Sequence, residues 1–291
     1  MIIVRLFGGL GNQLFQYAAG RRLSLMHDTT LKLDANHFQY HKLRSYELEP
    51  FCIQQEFATA EEIMELKGTA KRGLARIAFS VGQKVRPYYR RSIFCEARSG
   101  RLDLNILKTC RNVYLDGYWQ SEKYFADIKD VIRREFVVKY EFDSQNREMA
   151  NRIAETESVS IHVRRGDYVS IPETNMPLCG LDYYARCVKV ISKMVPDPHF
   201  YVFSDDREWI VENLRFDYAT TFVTHNDVNK GYEDLRLMSM CKHDIIANSS
   251  FSWWGAWLNP NANKVVLAPR KWHKDESIDT QDLLPESWIS I

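Results

Sequence analysis

Three short apolar stretches, Val159 to Val163, Phe200 to Phe203 and Asp244 to Ala247, recur in the second half of the chain with helical patterns such as Leu181 to Met194 between them. Strands that alternate with helices pack as a parallel sheet, because a parallel neighbour is reached only through a crossover. The expected fold class is therefore α/β. In open sheets of this kind ligands gather at the carboxyl ends of the strands, and each stretch delivers polar residues there.

The first ends in His162, Arg164, Arg165 and Asp167. Alternation along an extended backbone puts Arg164 on the side of His162, with Arg165 propping it or reaching round. A planar guanidinium fork suits a ligand phosphate and so suggests a phosphorylated substrate. An Arg-Asp pair bracing a turn at Gly166 accounts for the same residues. The second stretch ends in Ser204, Asp205 and Asp206. Their carboxylates can accept from ribose or base groups, hold a divalent metal, or cap the helix starting near Arg207. The third runs through Asn248, Ser249, Ser250 and Phe251 into Trp253, Trp254 and Trp257. Here the serines, with Ser252, are expected to cap a helix and bind an anion, and the tryptophans to pack as core. At the N-terminus, Ile2 to Leu6 break into Gly8-Gly9-Leu10-Gly11-Asn12-Gln13 before an amphipathic helix. Glycines there allow close approach to a ligand, but the pattern matches neither a dinucleotide nor a P-loop signature, and a packed strand-turn-helix unit explains it nearly as well.

The 291 residues, 45% hydrophobic, allow one large domain or two of about 130 to 150 residues each. The polar stretch from Lys139 to Arg147 is the expected boundary. A formal charge of +1 gives no nucleic-acid signal. Six cysteines without metal-ligand spacing read as free thiols in a reducing compartment. The first strand begins at once and no apolar run reaches about 18 residues, so neither a secretory signal nor a membrane span is expected. Residues 66–95 hold Lys67, Lys71, Arg72, Arg76, Lys84, Arg86, Arg90 and Arg91 and no acid, while Leu74, Ile77, Ala78 and Val81 repeat at helical spacing. A solvated face of a packed helix and a contact with a membrane surface are both open readings.

Gly8 to Tyr17, Gly117 to Phe125, 161 to 168, Ser204 to Asp206 and Asn248 to Trp254, in that order, resemble the glycosyltransferase family 11 α-1,2-fucosyltransferases of bacterial surface-polysaccharide pathways. The resemblance covers nearly the whole chain. It implies a GT-B-like fold: two facing Rossmann-like domains, an acceptor side over 1–145 and a donor side over 146–291, with the active site in the cleft. It implies inverting transfer of fucose from GDP-β-L-fucose to the 2-hydroxyl of a galactose-terminated surface glycan such as O-antigen, without a metal or other cofactor.

By the same resemblance Arg164 holds the donor diphosphate with His162 beside it; Asp167, beside the arginines in sequence, completes the expected catalytic set. Asn12, with Gly9 and Gly11, lies near donor fucose or phosphate. Ser204, Asp205 and Asp206 lie near the guanosine, and Asn248, Ser249, Ser250 and Phe251 near the diphosphate, with Arg165 among the donor-binding residues. For the base that takes the acceptor proton, Asp167, Glu173 and Asp34 stand as equal candidates. Animal members carry a membrane anchor that is missing here, so a cytoplasmic enzyme is expected, with a peripheral inner-membrane contact through 66–95 if the acceptor is lipid-linked. Two competing readings are a metal-dependent GT-A-type transferase holding Mn²⁺ on Asp205 and Asp206, and a non-catalytic binder of sugar nucleotide or glycan.

Overall fold

The computed structural model describes residues 1–40, 43–96, 101–171 and 175–291. They form two compact units, one of Met1–Val137 with Asp279–Leu283, the other of Val138–Ile278 with Leu284–Ile291.

The first unit runs β1 (Ile2–Arg5), α1 (Leu10–Met26), β2 (Leu31–Asp34), α2 (His37–Tyr40), α3 (Ala60–Lys67), α4 (Gly73–Val85), β3 (Ile93–Cys95), β4 (Val113–Asp116) and α5 (Lys129–Glu135). Its four strands make a parallel sheet in the order β2-β1-β4-β3. Ile2, Ile3 and Val4 of β1 are all fully buried, as expected of a central strand covered on both faces. At the strand's end Gly8 adopts φ 76°, a left-handed turn that glycine enters without penalty. α1 then starts with Gly9 as its N-cap.

The second unit runs α6 (Ser144–Ala154), β5 (Glu157–Val163), α7 (Gly166–Ser170), α8 (Leu181–Ile191), β6 (Pro198–Ser204), α9 (Arg207–Asn213), β7 (Thr220–Val223), α10 (Gly231–Met240), β8 (His243–Ile245), α11 (Ser250–Leu258), β9 (Val266–Ala268) and β10 (Ile289–Ser290). Its six strands are all parallel, in the order β10-β9-β8-β5-β6-β7. Trp253, Trp254 and Trp257 of α11 are buried, and Gly255 lets that helix approach Met238 of α10.

The division falls between Val137 and Val138 rather than at 145, because residues 140–143 are already fastened to the second unit. The Arg236 Nη1 donates to the Tyr140 carbonyl at 3.0 Å, its guanidinium lies 3.4 Å from the Phe142 ring centroid, and Lys230 pairs with Asp143 at 2.9 Å. Asp279–Leu283, expected in the second domain, belongs to the first. Asp282 accepts there from the Leu102 N–H at 3.0 Å and from the Lys123 Nζ at 2.8 Å.

The apolar repeat near residue 77 does form a helix, α4, yet none of its residues is buried. Among the described residues no helix is long and apolar enough to cross a membrane. All six cysteines are free.

Candidate active site

The register of β5 against β6 builds the site. Val163 pairs with Ser204, so the residues that come next in each strand, Arg164 and Asp205, lie side by side. Arg164 Nη1 meets Asp205 Oδ2 at 3.0 Å, and its Nη2 donates to Asp167 Oδ1 at 2.7 Å. Its guanidinium also lies 5.6 Å from the Tyr168 ring centroid. Burial works against the Arg164 charge, but Asp205 and then Asp167 outweigh it, so the group is held protonated more firmly than usual.

Arg165, the N-cap of α7, has separate side-chain partners. Its Nε donates to Asp206 at 3.0 Å, its guanidinium sits 3.9 Å from the Trp209 ring centroid, and its backbone N–H donates to Asp205 at 2.8 Å. Asp206 also caps α9 by accepting from the Trp209 N–H at 3.2 Å, while its own N–H donates to the Ser204 hydroxyl at 2.9 Å. Both aspartates thus meet arginines. Gly166 is required beside them, because a Cβ there would run into Asp205 Oδ2. Among the described residues no group of three or more His, Cys, Asp or Glu side chains is arranged to hold a metal ion.

His162 lies two residues before Arg164 and is almost fully buried, its ring 5.2 Å from that of Phe251. Burial, and then the Arg164 charge, push its pKa down to about 3, so the imidazole is neutral at ordinary pH. Its buried Nδ1 has no hydrogen-bond partner among the described residues. His162 is thus a buried residue of β5, its neutral ring packed on Phe251.

The residues before α11 depart from expectation. Asn248 is buried and spends its amide on the backbone, donating to the Pro177 carbonyl at 2.9 Å and the Trp272 carbonyl at 3.1 Å. Its own backbone carbonyl accepts from Tyr168 at 2.8 Å. Ser249 is the N-cap of α11 by position, but its side chain makes no capping bond. The Ser252 hydroxyl turns back to the Ala247 and Ser249 carbonyls at 3.3 and 3.2 Å. Ser250 opens the helix, and Phe251 packs on His162.

Gly9, Gly11 and Asn12 belong to the first unit. Gly9 and Gly11 form the start of α1, and Asn12 Oδ1 accepts from Gln120 at 2.8 Å. The turn is locked by Gln13, which donates to the Gly8 carbonyl at 3.0 Å and the Ser45 carbonyl at 2.8 Å. Of the base candidates, Asp167 is beside Arg164, and Glu173 lies outside the described residues. Asp34 is buried in the first unit and accepts from the Tyr114 hydroxyl at 2.6 Å and from the Asn36 N–H at 3.1 Å.

Two carboxylates with raised pKa values cannot be picked out of the sequence, because nothing in their spacing sets them apart from helix-start or loop acids. Asp234 in α10 accepts from Asn226 at 2.8 Å, yet burial raises its pKa to about 7. Glu96, just after β3, accepts from the Tyr118 and Trp119 N–H groups at 2.6 and 3.2 Å and is likewise raised to about 7 by burial.

Known proteins place this architecture. The model of the family named glycosyl transferase family 11 matches residues 88–291. An α-1,2-colitosyltransferase from Escherichia coli is 32% identical, over 100% of this chain and 99% of its own. The O-antigen biosynthesis glycosyltransferase WbnK from Escherichia coli is 30% identical, over 98% of this chain and 99% of its own. The GDP-bound structure of a variant of Arabidopsis thaliana FUT1 superposes with a TM-score of 0.52 at 12% identity, covering 99% of this chain and 75% of that one. That likeness concerns the fold, which is GT-B-like, with a parallel sheet in each of the two α/β units. The match over more than half of the chain and the full-length relatives make it a glycosyltransferase and a member of glycosyl transferase family 11.

Proposed function

We propose that this enzyme transfers L-fucose, with inversion, from GDP-β-L-fucose to the 2-hydroxyl of a terminal galactose in a surface glycan of the O-antigen kind. The observation that carries the reading is the Arg164 fork at the end of β5, oriented from behind by Asp167 and Asp205. In the transfer, the bond between the anomeric carbon and the β-phosphate oxygen breaks as the acceptor oxygen bonds that carbon. Negative charge is left on GDP. A fixed guanidinium stabilises it, and Nη2 of Arg164 keeps a second N–H beyond the one given to Asp167. The start of α11, with Ser249, Ser250 and Phe251, supplies dipole and N–H groups for the same diphosphate. Arg165, Ser204, Asp205 and Asp206 hold the donor side in shape, and Gly9, Gly11 and Asn12 are assigned to the donor by family resemblance.

No divalent metal takes part in this scheme, since the carboxylates at the β6 end are engaged by Arg164 and Arg165. Asp167, held against Arg164 on the leaving-group side, orients the guanidinium, and the acceptor proton passes to solvent on the opposite face. A colitosyl donor is the second reading, favoured by the relative with 32% identity. The test offers GDP-fucose and GDP-colitose separately to a panel of β-galactosides and determines the product linkage. An α-1,2-fucosylated galactoside supports the first reading, transfer of colitose alone supports the second, and transfer from neither donor removes both.

A further inference from the structure

α4 contradicts the usual rule for an apolar stripe. Leu74, Ile77, Val81 and Val85 are spaced by three and then four residues, which lines them along one side of a helix. Such a stripe ordinarily faces a core. Here the four are 83%, 60%, 54% and 77% exposed. The helix touches its own unit by another side. Phe79 packs over Gly68, and Gln83 accepts from the Ser92 N–H at 2.9 Å. Phe79 and Gln83 are one helical turn apart and project roughly opposite the stripe, so the apolar side points away from the body.

The charge around the stripe says what covers it. Arg72, Arg76, Lys84 and Arg86 are exposed on or beside α4, and Lys67, Lys71, Arg90 and Arg91 flank it, with no Asp or Glu from 66 to 95. None of the eight forms a salt bridge among the described residues. A second copy of the same surface would set these cations against one another. An apolar stripe with a cationic rim and no anionic partner fits an anionic lipid surface, into which the stripe sinks to the acyl boundary while the basic side chains reach the headgroups.

We propose that α4 is a membrane-surface helix that seats the first unit on anionic lipid. If the acceptor is a lipid-linked glycan, as the proposed function allows, the helix delivers the enzyme to it, but the binding itself does not depend on that reading.

The test is co-sedimentation with vesicles of equal parts phosphatidylglycerol and phosphatidylcholine, against vesicles of phosphatidylcholine alone. The parent is expected to bind the anionic vesicles only, and less as salt is raised. Reversal of Arg72, Arg76, Lys84 and Arg86 to Glu should lower the partition coefficient by roughly fivefold per charge removed. Leu74→Ser with Val81→Ser should lower it at least about tenfold with the charges intact, because the apolar insertion is lost. Both stripe residues are solvent-facing, so thermal unfolding should match the parent. Equal sedimentation with the two vesicle types, or equal binding by the parent and both variants, overturns the proposal. So does self-association in solution that the Leu74→Ser, Val81→Ser variant abolishes, since the stripe would then cover a second copy. Loss of fucosyl transfer with vesicle binding intact rejects only the proposed donor chemistry.

Discussion

Each unit ends a central parallel strand in an arginine that meets an aspartate from the neighbouring strand, and the two pairs differ in what surrounds them. In the first unit Arg5 holds both oxygens of Asp116 at 3.1 and 3.0 Å, with side chains 37% and 31% exposed. A pair so open to water contributes about 0 to 1 kcal/mol and fastens a strand end. In the second unit Arg164 is only 18% exposed and is shared by two carboxylates, while Arg165 takes a third. Two arginines and three aspartates carry a formal charge of −1, with side chains 18 to 34% exposed. Such a cluster gains little stability, and a buried guanidinium held charged by its neighbours is a feature of functional sites. The same two residue types at the same point of a parallel sheet therefore differ in burial of the arginine and in the number of its partners.

The largest difference between the two pairs is expected from a change that keeps the charge and removes the fork. Arg164→Lys should lower kcat by roughly a hundredfold or more, because an ammonium cannot hold a diphosphate bidentately. Arg5→Lys should cost less than about threefold, since a strand-end brace tolerates a point charge. Steady-state transfer rates for both variants decide it, and equal losses would erase the distinction.

A smaller effect comes from geometry. Gly166→Ala sets a methyl against Asp205 and displaces the carboxylate that orients Arg164. A loss of roughly tenfold in kcat/KM is expected, with the far-UV circular dichroism unchanged. At Gly9 the nearest atom to an added Cβ is 3.6 Å away, so Gly9→Ala fits the protein. Any drop in its activity then reports approach of a ligand to the turn, not misfolding.

Smaller again is a pH effect on stability. Asp234 and Glu96 have pKa values raised to about 7, from ordinary values of 3.8 and 4.5, by burial. An acid raised on folding favours the folded state while protonated, so that contribution is present below its unfolded value and fades as pH rises through about 7. Between about pH 4 and about pH 7 the parent should lose a few degrees of Tm relative to Asp234→Asn, and likewise to Glu96→Gln. Tm differences independent of pH would show that neither carboxyl titrates in this range.

The smallest change is expected from a chelator: activity in excess EDTA should stay within about twofold of the untreated enzyme. Abolition by EDTA with recovery in Mn²⁺ would falsify the assignment of Asp205 and Asp206 to the arginines during turnover.

The parallel sheet of the second unit is legible in the sequence because continuous apolar runs separated by helix-length spacers admit little else. The separate partners of Arg164 and Arg165 match the reading from alternation, although both residues lie just past the end of β5. Partners set by register are not legible. That Arg164 meets Asp205 depends on Val163 pairing with Ser204, and nothing local to either strand fixes that alignment. Asn248 is expected near the diphosphate by family resemblance. Its amide is instead absorbed by the Pro177 and Trp272 carbonyls, distant in sequence. For α4 the periodicity holds and the packed face does not, since spacing shows that apolar residues share a side but not what lies against it.

The short stretch Asp279–Leu283 has a consequence for biosynthesis. A ribosome that has made everything up to Val137 has made all of the first unit except this piece, and nearly all of the second unit is synthesised before the missing piece appears. The contacts of Asp282 with the Leu102 N–H and the Lys123 ammonium form only then. The first unit is thus begun early and closed late. A nascent chain halted anywhere before Asp282 carries an unclosed first unit, however well its own sheet has formed.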